Sequence, residues 1–364
     1  MTALADLPGH TGPHDDDLDR GQRRRRALLW VGGLVALLAV SAPVATGLGA
    51  VAVPPGTVTA IIGNRALGLP TALEASPSQV AIVWQVRAPR VLLGLVVGAA
   101  LALCGAILQT LVRNVLAEPY LLGVTSGAST GAALTILFGV GSAAGGAASL
   151  TGSAFLGAVA ALALVFTLAR SGGRITPVRL LLAGVAVGYL LNAVTSFLIF
   201  ASDTPDGARA VLFWLLGSLS QARWSSVAIT GAVVVLTLVV AVASARRLDA
   251  LAVGDDTARA LGVAPARLRA LLLAVVALCV GAAVAVSGGI AFVGLVVPHV
   301  ARVLVGGTHR LTVPVAALLG AVFLLWADVV ARTVFDPREL PLGIVTAVVG
   351  APLLVLLVRR LRTT

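Results

Sequence analysis

The chain has 364 residues, 59% of them hydrophobic and only 11% charged, with a mean hydropathy of +1.03. That composition excludes an ordinary water-soluble enzyme and belongs to a polytopic membrane protein. The net charge of +11 arises from 26 arginines against 15 acidic residues, with no lysine anywhere. Without lysine there is no Walker A loop, so any ATP must be hydrolysed on another chain. Arginine at the ends of membrane segments sets orientation, and nucleic acid is not an expected partner.

In chain order, residues 1–26 carry Asp15 to Asp17 and Arg23 to Arg26 with almost nothing to bury, and are expected to be a disordered tail. The basic run before Ala27 to Ala45 imitates a secretory signal, but the apolar stretch is long enough to span, which favours an uncleaved first helix. Apolar runs follow near 90–111, 119–138, 146–169, 178–200, 225–245, 269–287, 290–306, 311–331 and 341–358. With 28–49 they predict an all-α bundle of ten transmembrane helices over 27–364. With the N-terminus in the cytoplasm, an even count returns the C-terminus there, so both termini are expected to be cytoplasmic. The predicted inner segments then hold 19 arginines and the outer segments 7, the bias of the positive-inside rule.

Cys104 and Cys279 fall within apolar runs and read as small buried hydrophobes, not as metal ligands. Glycine spacings such as Gly94/Gly98, Gly123/Gly127/Gly131 and Gly184/Gly188 suit close helix packing. A weak echo between Ala102–Ala106 and Ala277–Ala282 hints at two inverted halves. No run of carboxylates crosses the apolar segments, as an ion-driven carrier would need; Glu118, His299 and Asp328 lie near predicted helix ends.

The longest inner connection, 247–268, has two short helices' worth of signals. Gly254 can end one, Asp255 or Asp256 can cap the next, and Gly262 can end that one, with Ala258 and Leu261 sharing a face. It is either a solvated loop or a lever for a partner. On the predicted outer side, Arg87 and Arg90 precede the second helix, and Arg332 stands four residues after Asp328. These arginines either anchor the interface and pair with Asp328, or are offered to carboxylates of a soluble partner.

Seven stretches, in order, resemble the FecCD family of ABC importer permeases, which take up iron-siderophores, haem and cobalamin: Arg87-Ala-Pro-Arg90-Val-Leu-Leu-Gly94, Gly98–Ala106, Arg113–Ala128, Leu181–Gly188, Gly288–Arg302, Ala327–Arg332 and Glu339–Pro352. The likeness covers about 28–360; Val115 departs from it, because the family more often has proline there. The resemblance implies a type II permease bundle in the bacterial cytoplasmic membrane, working as a dimer with a second permease copy. It also implies cytoplasmic ATPase subunits, which hold ATP and magnesium, and an extracytoplasmic binding protein. The permease itself is not an enzyme and binds no cofactor or metal; lipid surrounds it. Docking of the binding protein maps onto Arg87, Arg90 and Arg332. Coupling to the ATPase maps onto Leu251, Gly254, Asp255, Asp256, Arg259, Leu261 and Gly262. The translocation path maps onto Gly184, Gly188, Pro341, Gly343 and Gly350. An iron(III)-siderophore is the expected cargo, with cobalamin or haem as alternatives.

Overall fold

The computed structural model describes residues 14–49, 51–70, 75–141, 146–171, 174–336 and 338–361. Helix α1 (His14–Gly47) is followed by a short α2 (Pro55–Leu67) and by α3 (Pro77–Ala81), which continues through a π-turn (Ile82–Arg87) into α4 (Ala88–Val112). A 3₁₀ turn (Pro119–Leu122) leads to α5 (Val124–Phe138) and α6 (Gly146–Ala169), and a two-residue β-ladder pairs Arg170–Ser171 (β1) with Arg174–Ile175 (β2). Then come α7 (Pro177–Phe200), α8 (Pro205–Leu215), α9 (Trp224–Ala243), α10 (Ala245–Val253), α11 (Asp255–Ala260), α12 (Pro265–Ser287), α13 (Val293–Val305), α14 (His309–Thr333) and α15 (Leu342–Leu361). Among the described residues seven helices are long and apolar enough to cross a membrane, and three shorter apolar ones, α5, α13 and the apolar part of α15, account for the remaining predicted runs.

Two expectations are corrected. Of the supposed disordered tail, residues 1–13 lie outside the described residues, but the chain is helical from His14 onward as the start of α1. The second spanning helix begins at Pro77, well before residue 90, forming one 36-residue rod. The π-turn has a cause in Pro89. Its missing N–H cannot continue the i→i−4 ladder, and the amide of Ala88 bonds instead to Val83 O, five residues back.

Helix α4 is buried along nearly its whole length, with α9, α12, α13 and α14 packed around it. Lipid is as apolar as leucine, so close backbone approach must supply the packing. A Cβ on Gly105 would run into the carbonyl of Gly294 on α13, and one on Gly98 into that of Gly320 on α14. The clash is reciprocal at Gly98 and Gly320, and again at Gly127 of α5 and Gly157 of α6. Polar groups inside the bundle are matched with the same economy. Pro298 leaves the carbonyl of Gly294 without its helical donor, and Gln109 Nε2 donates to it at 3.3 Å and to Leu295 O at 3.1 Å. Cys104 and Cys279 are free and buried where α4 meets α12.

Candidate functional site

Helices α10 and α11 form one polar rim of the bundle. Gly254 joins the two helices at φ 156° and ψ 162°, a conformation that only glycine adopts without strain. Asp255 Oδ2 and Oδ1 accept from Arg269 Nη1 and Nη2 at 2.7 Å each, Arg113 stands 3.6 Å away, and Arg269 Nε donates to Leu111 O at 3.2 Å. One carboxylate therefore ties α11 to α12 and to the end of α4. Hydrogen bonds from Arg269, with its charge, outweigh partial burial and hold Asp255 below the ordinary carboxylate range. A second tether starts at Asp249 on α10, whose Oδ1 accepts from the His309 backbone at 2.9 Å and lies 2.6 Å from His309 Nδ1, while Thr110 Oγ1 on α4 meets His309 Nε2 at 2.6 Å. Burial opposes ionisation of Asp249, yet the bonds and charge of His309 prevail and lower its pKa.

The structure sorts the predicted coupling residues into two faces. Leu251 is fully buried and anchors α10 in the core; it is not a contact residue. Ala258 is also buried, whereas Leu261 is 67% exposed, so they do not share a face: Leu261 follows the last residue of α11. Neither Asp255 nor Asp256 caps α11, because Asp255 is drawn to Arg269 and Asp256 pairs with Arg259 at 2.6 Å on the surface. Gly262, at φ 76°, ends the helix as expected, its amide bonding to Arg259 O. Val253, Asp256, Arg259 and Leu261 thus stand outward on elements fixed from beneath.

At the opposite rim the three arginines assigned to docking are all buried, which corrects the expectation of free outward cations. The end of α1 and the chain just beyond it leave carbonyls that helix geometry cannot satisfy. Arg87 donates to Thr46, Gly47 and Val51 O, and Arg332 to Ala45 and Leu48 O. Arg90 forks onto Glu339 at 2.8 and 3.0 Å and also holds Asp328 at 3.0 Å, while Arg332 Nε lies 3.3 Å from Asp328. The i, i+4 pair expected of Asp328 and Arg332 is present; the partnership with Glu339 was invisible, because 249 residues separate it from Arg90.

The glycines assigned to the path pack against other parts of the chain. Gly184 and Gly188 pack against Gly123, a Cβ on Gly343 would crowd Leu216 O, and Gly350 abuts Phe292. Phe292 itself sits at φ 70°, its amide held 2.6 Å from Glu118 Oε1, and the Tyr120 hydroxyl bonds to the backbone of Ile290. Pro341 edges a lateral cavity at the start of α15. The uncovered apolar surface includes Val185 and Tyr189 on α7 and Val348 and Leu353 on α15.

A multi-pass α-helical membrane protein with two polar rims is thereby defined. The chain belongs to the FecCD transport family, which it matches over residues 34–360. It is 43% identical to the hemin transport system permease protein HmuU of Yersinia pestis, over 77% of this chain and 84% of that one. It is 42% identical to the ferric enterobactin transport system permease protein FepD of Escherichia coli, over 82% and 90%. A solved structure described as a metal-chelate type ABC transporter in an inward-facing conformation superposes with a TM-score of 0.78 at 34% identity, covering 91% of this chain and 98% of that one. The chain is a permease subunit of a type II ABC importer.

Proposed function

We propose that this permease carries an iron(III)-siderophore across the bacterial cytoplasmic membrane by alternating access, driven by ATPase subunits seated on α10 and α11. The observation that carries this reading is the fastening of α11 to α12 and α4 through Asp255, Arg269 and Leu111. A push on a floppy loop dissipates, whereas a push on Val253, Asp256, Arg259 and Leu261 is passed to two spanning helices. ATP and magnesium stay on the partner, which supplies the differential affinity that shifts the equilibrium between inward and outward states. The unpartnered faces of α7 and α15 are assigned to the path and to a second permease copy. A binding protein meets the Arg90–Glu339 rim, whose arginines shape the docking surface from below while Glu339 stays half-exposed. The ferric-siderophore cargo is favoured by the ferric enterobactin in the name of one relative. In this reading both termini lie in the cytoplasm, which the arginine distribution supports.

The test is uptake into proteoliposomes holding this chain with its ATPase and binding protein, comparing ferric siderophores, haem and cobalamin. ATP-dependent uptake of a ferric siderophore, with the other two left outside, is expected. Uptake of cobalamin or haem alone overturns the cargo, and uptake without an ATPase overturns the coupling.

A further inference from the structure

Between α6 and α9, both of which pack on α12, lies a cavity of about 810 Å³. It falls within the range of roughly 300–1,000 Å³ usual for small-molecule sites. Its floor is Leu278 and Ala282 on α12, its walls are Phe155 on one side and Ile229 and Val233 on the other, and α8 closes its end with Phe213 and Trp214. The flanking α6 and α9 are among the least buried spans, so the cavity opens sideways between them toward lipid. Exposed polar side chains gather at the mouth, with Gln221, Arg223 and Ser225, while deeper in Thr230 and Ser287 are buried among the apolar walls. Glu339 on its edge is already held by Arg90, while Arg223 is exposed and its guanidinium has no ion-pair or hydrogen-bond partner among the described residues. Beside the mouth Trp224 rests against Trp84, ring centroids 4.6 Å apart, and donates to Trp84 O at 2.9 Å. Paired tryptophans of this kind mark the depth of lipid head groups.

We propose that this cavity binds one phospholipid with an anionic head group, its phosphate at Arg223 and an acyl chain lying against Leu278 and Ala282. An apolar slot with a single uncommitted cation at head-group depth matches an amphiphile of that charge, and the chain's own carboxylates are engaged elsewhere at that mouth.

The test uses the full chain in phosphatidylcholine vesicles doped with phosphatidylglycerol or phosphatidylcholine carrying brominated tails, which quench nearby tryptophan. The difference between the unaltered protein and Trp214→Phe isolates Trp214. Half-maximal quenching is expected at about a fivefold lower fraction of brominated phosphatidylglycerol than of brominated phosphatidylcholine, the worth of one arginine against an anionic head group. Arg223→Gln, an exposed substitution that the fold tolerates, should erase that gap, and Ala282→Phe should remove the Trp214 signal for both lipids. Equal curves for the two lipids in the unaltered protein, or a gap that survives Arg223→Gln, would overturn the proposal. Relief of quenching by a ferric siderophore would equally do so, by assigning the slot to cargo.

Discussion

At Asp255 a single carboxylate decides whether Arg269, whose side chain is 4% exposed, is paired or stranded. Breaking a buried pair from one side leaves an uncompensated charge, so Asp255→Asn should cost about 3–5 kcal/mol, read as a lower unfolding midpoint in detergent. Replacing both members, Asp255→Leu with Arg269→Met, should restore most of that stability while uptake stays lost, which separates folding from coupling. The pH dependence follows from the lowered carboxylate. Its folded pKa lies below its unfolded value, so the pair's contribution is complete above an ordinary aspartate pKa of about 3.9 and disappears as pH falls through the depressed value. Acid unfolding of the unaltered chain should therefore begin below about pH 4, and the acid limb should flatten in the double replacement. The sequence displayed these charges but not their directions. Arg87, Arg90 and Arg332 look alike as outer cations, and what turns them inward shows only in the folded chain: the open carbonyls ending α1 for Arg87 and Arg332, and Asp328 with Glu339 for Arg90.

Among the elements, the α10–Gly254–α11 joint was legible because glycine, acidic residues and a second glycine punctuate a polar stretch. What it presents outward was not, since helices of nine and six residues are too short for periodicity to define a face. Gly254→Ala should cost about 1–3 kcal/mol from backbone strain, and it should lower coupled ATP hydrolysis more than binding-protein docking. A steeper penalty is expected inside the bundle, where Gly105→Leu drives a side chain into the backbone of α13; measured by yield of folded protein in detergent, this variant should fail where Gly307→Leu, in open space, succeeds.

Across the whole molecule, ten apolar runs were readable from hydropathy alone, and two of them surface as helices of marginal length: α5 and α13 have 15 and 13 residues. At 1.5 Å per residue such helices fall short of a hydrocarbon core of about 30 Å, and the turns before them, bonded through Tyr120 and Glu118, make up the depth. Cysteine placed at Arg247 should react with a membrane-impermeant maleimide only after the membrane is opened, and at Arg338 in intact cells; the reverse pattern would invert the proposed orientation. The paired glycines carry a consequence on a longer timescale. At Gly98 with Gly320, and at Gly127 with Gly157, each residue is the obstacle to enlarging the other, and no smaller residue exists to which the partner could retreat. Compensating change is closed at these crossings, so in lineages descended from this chain they should stay fixed while the lipid-facing positions around them drift.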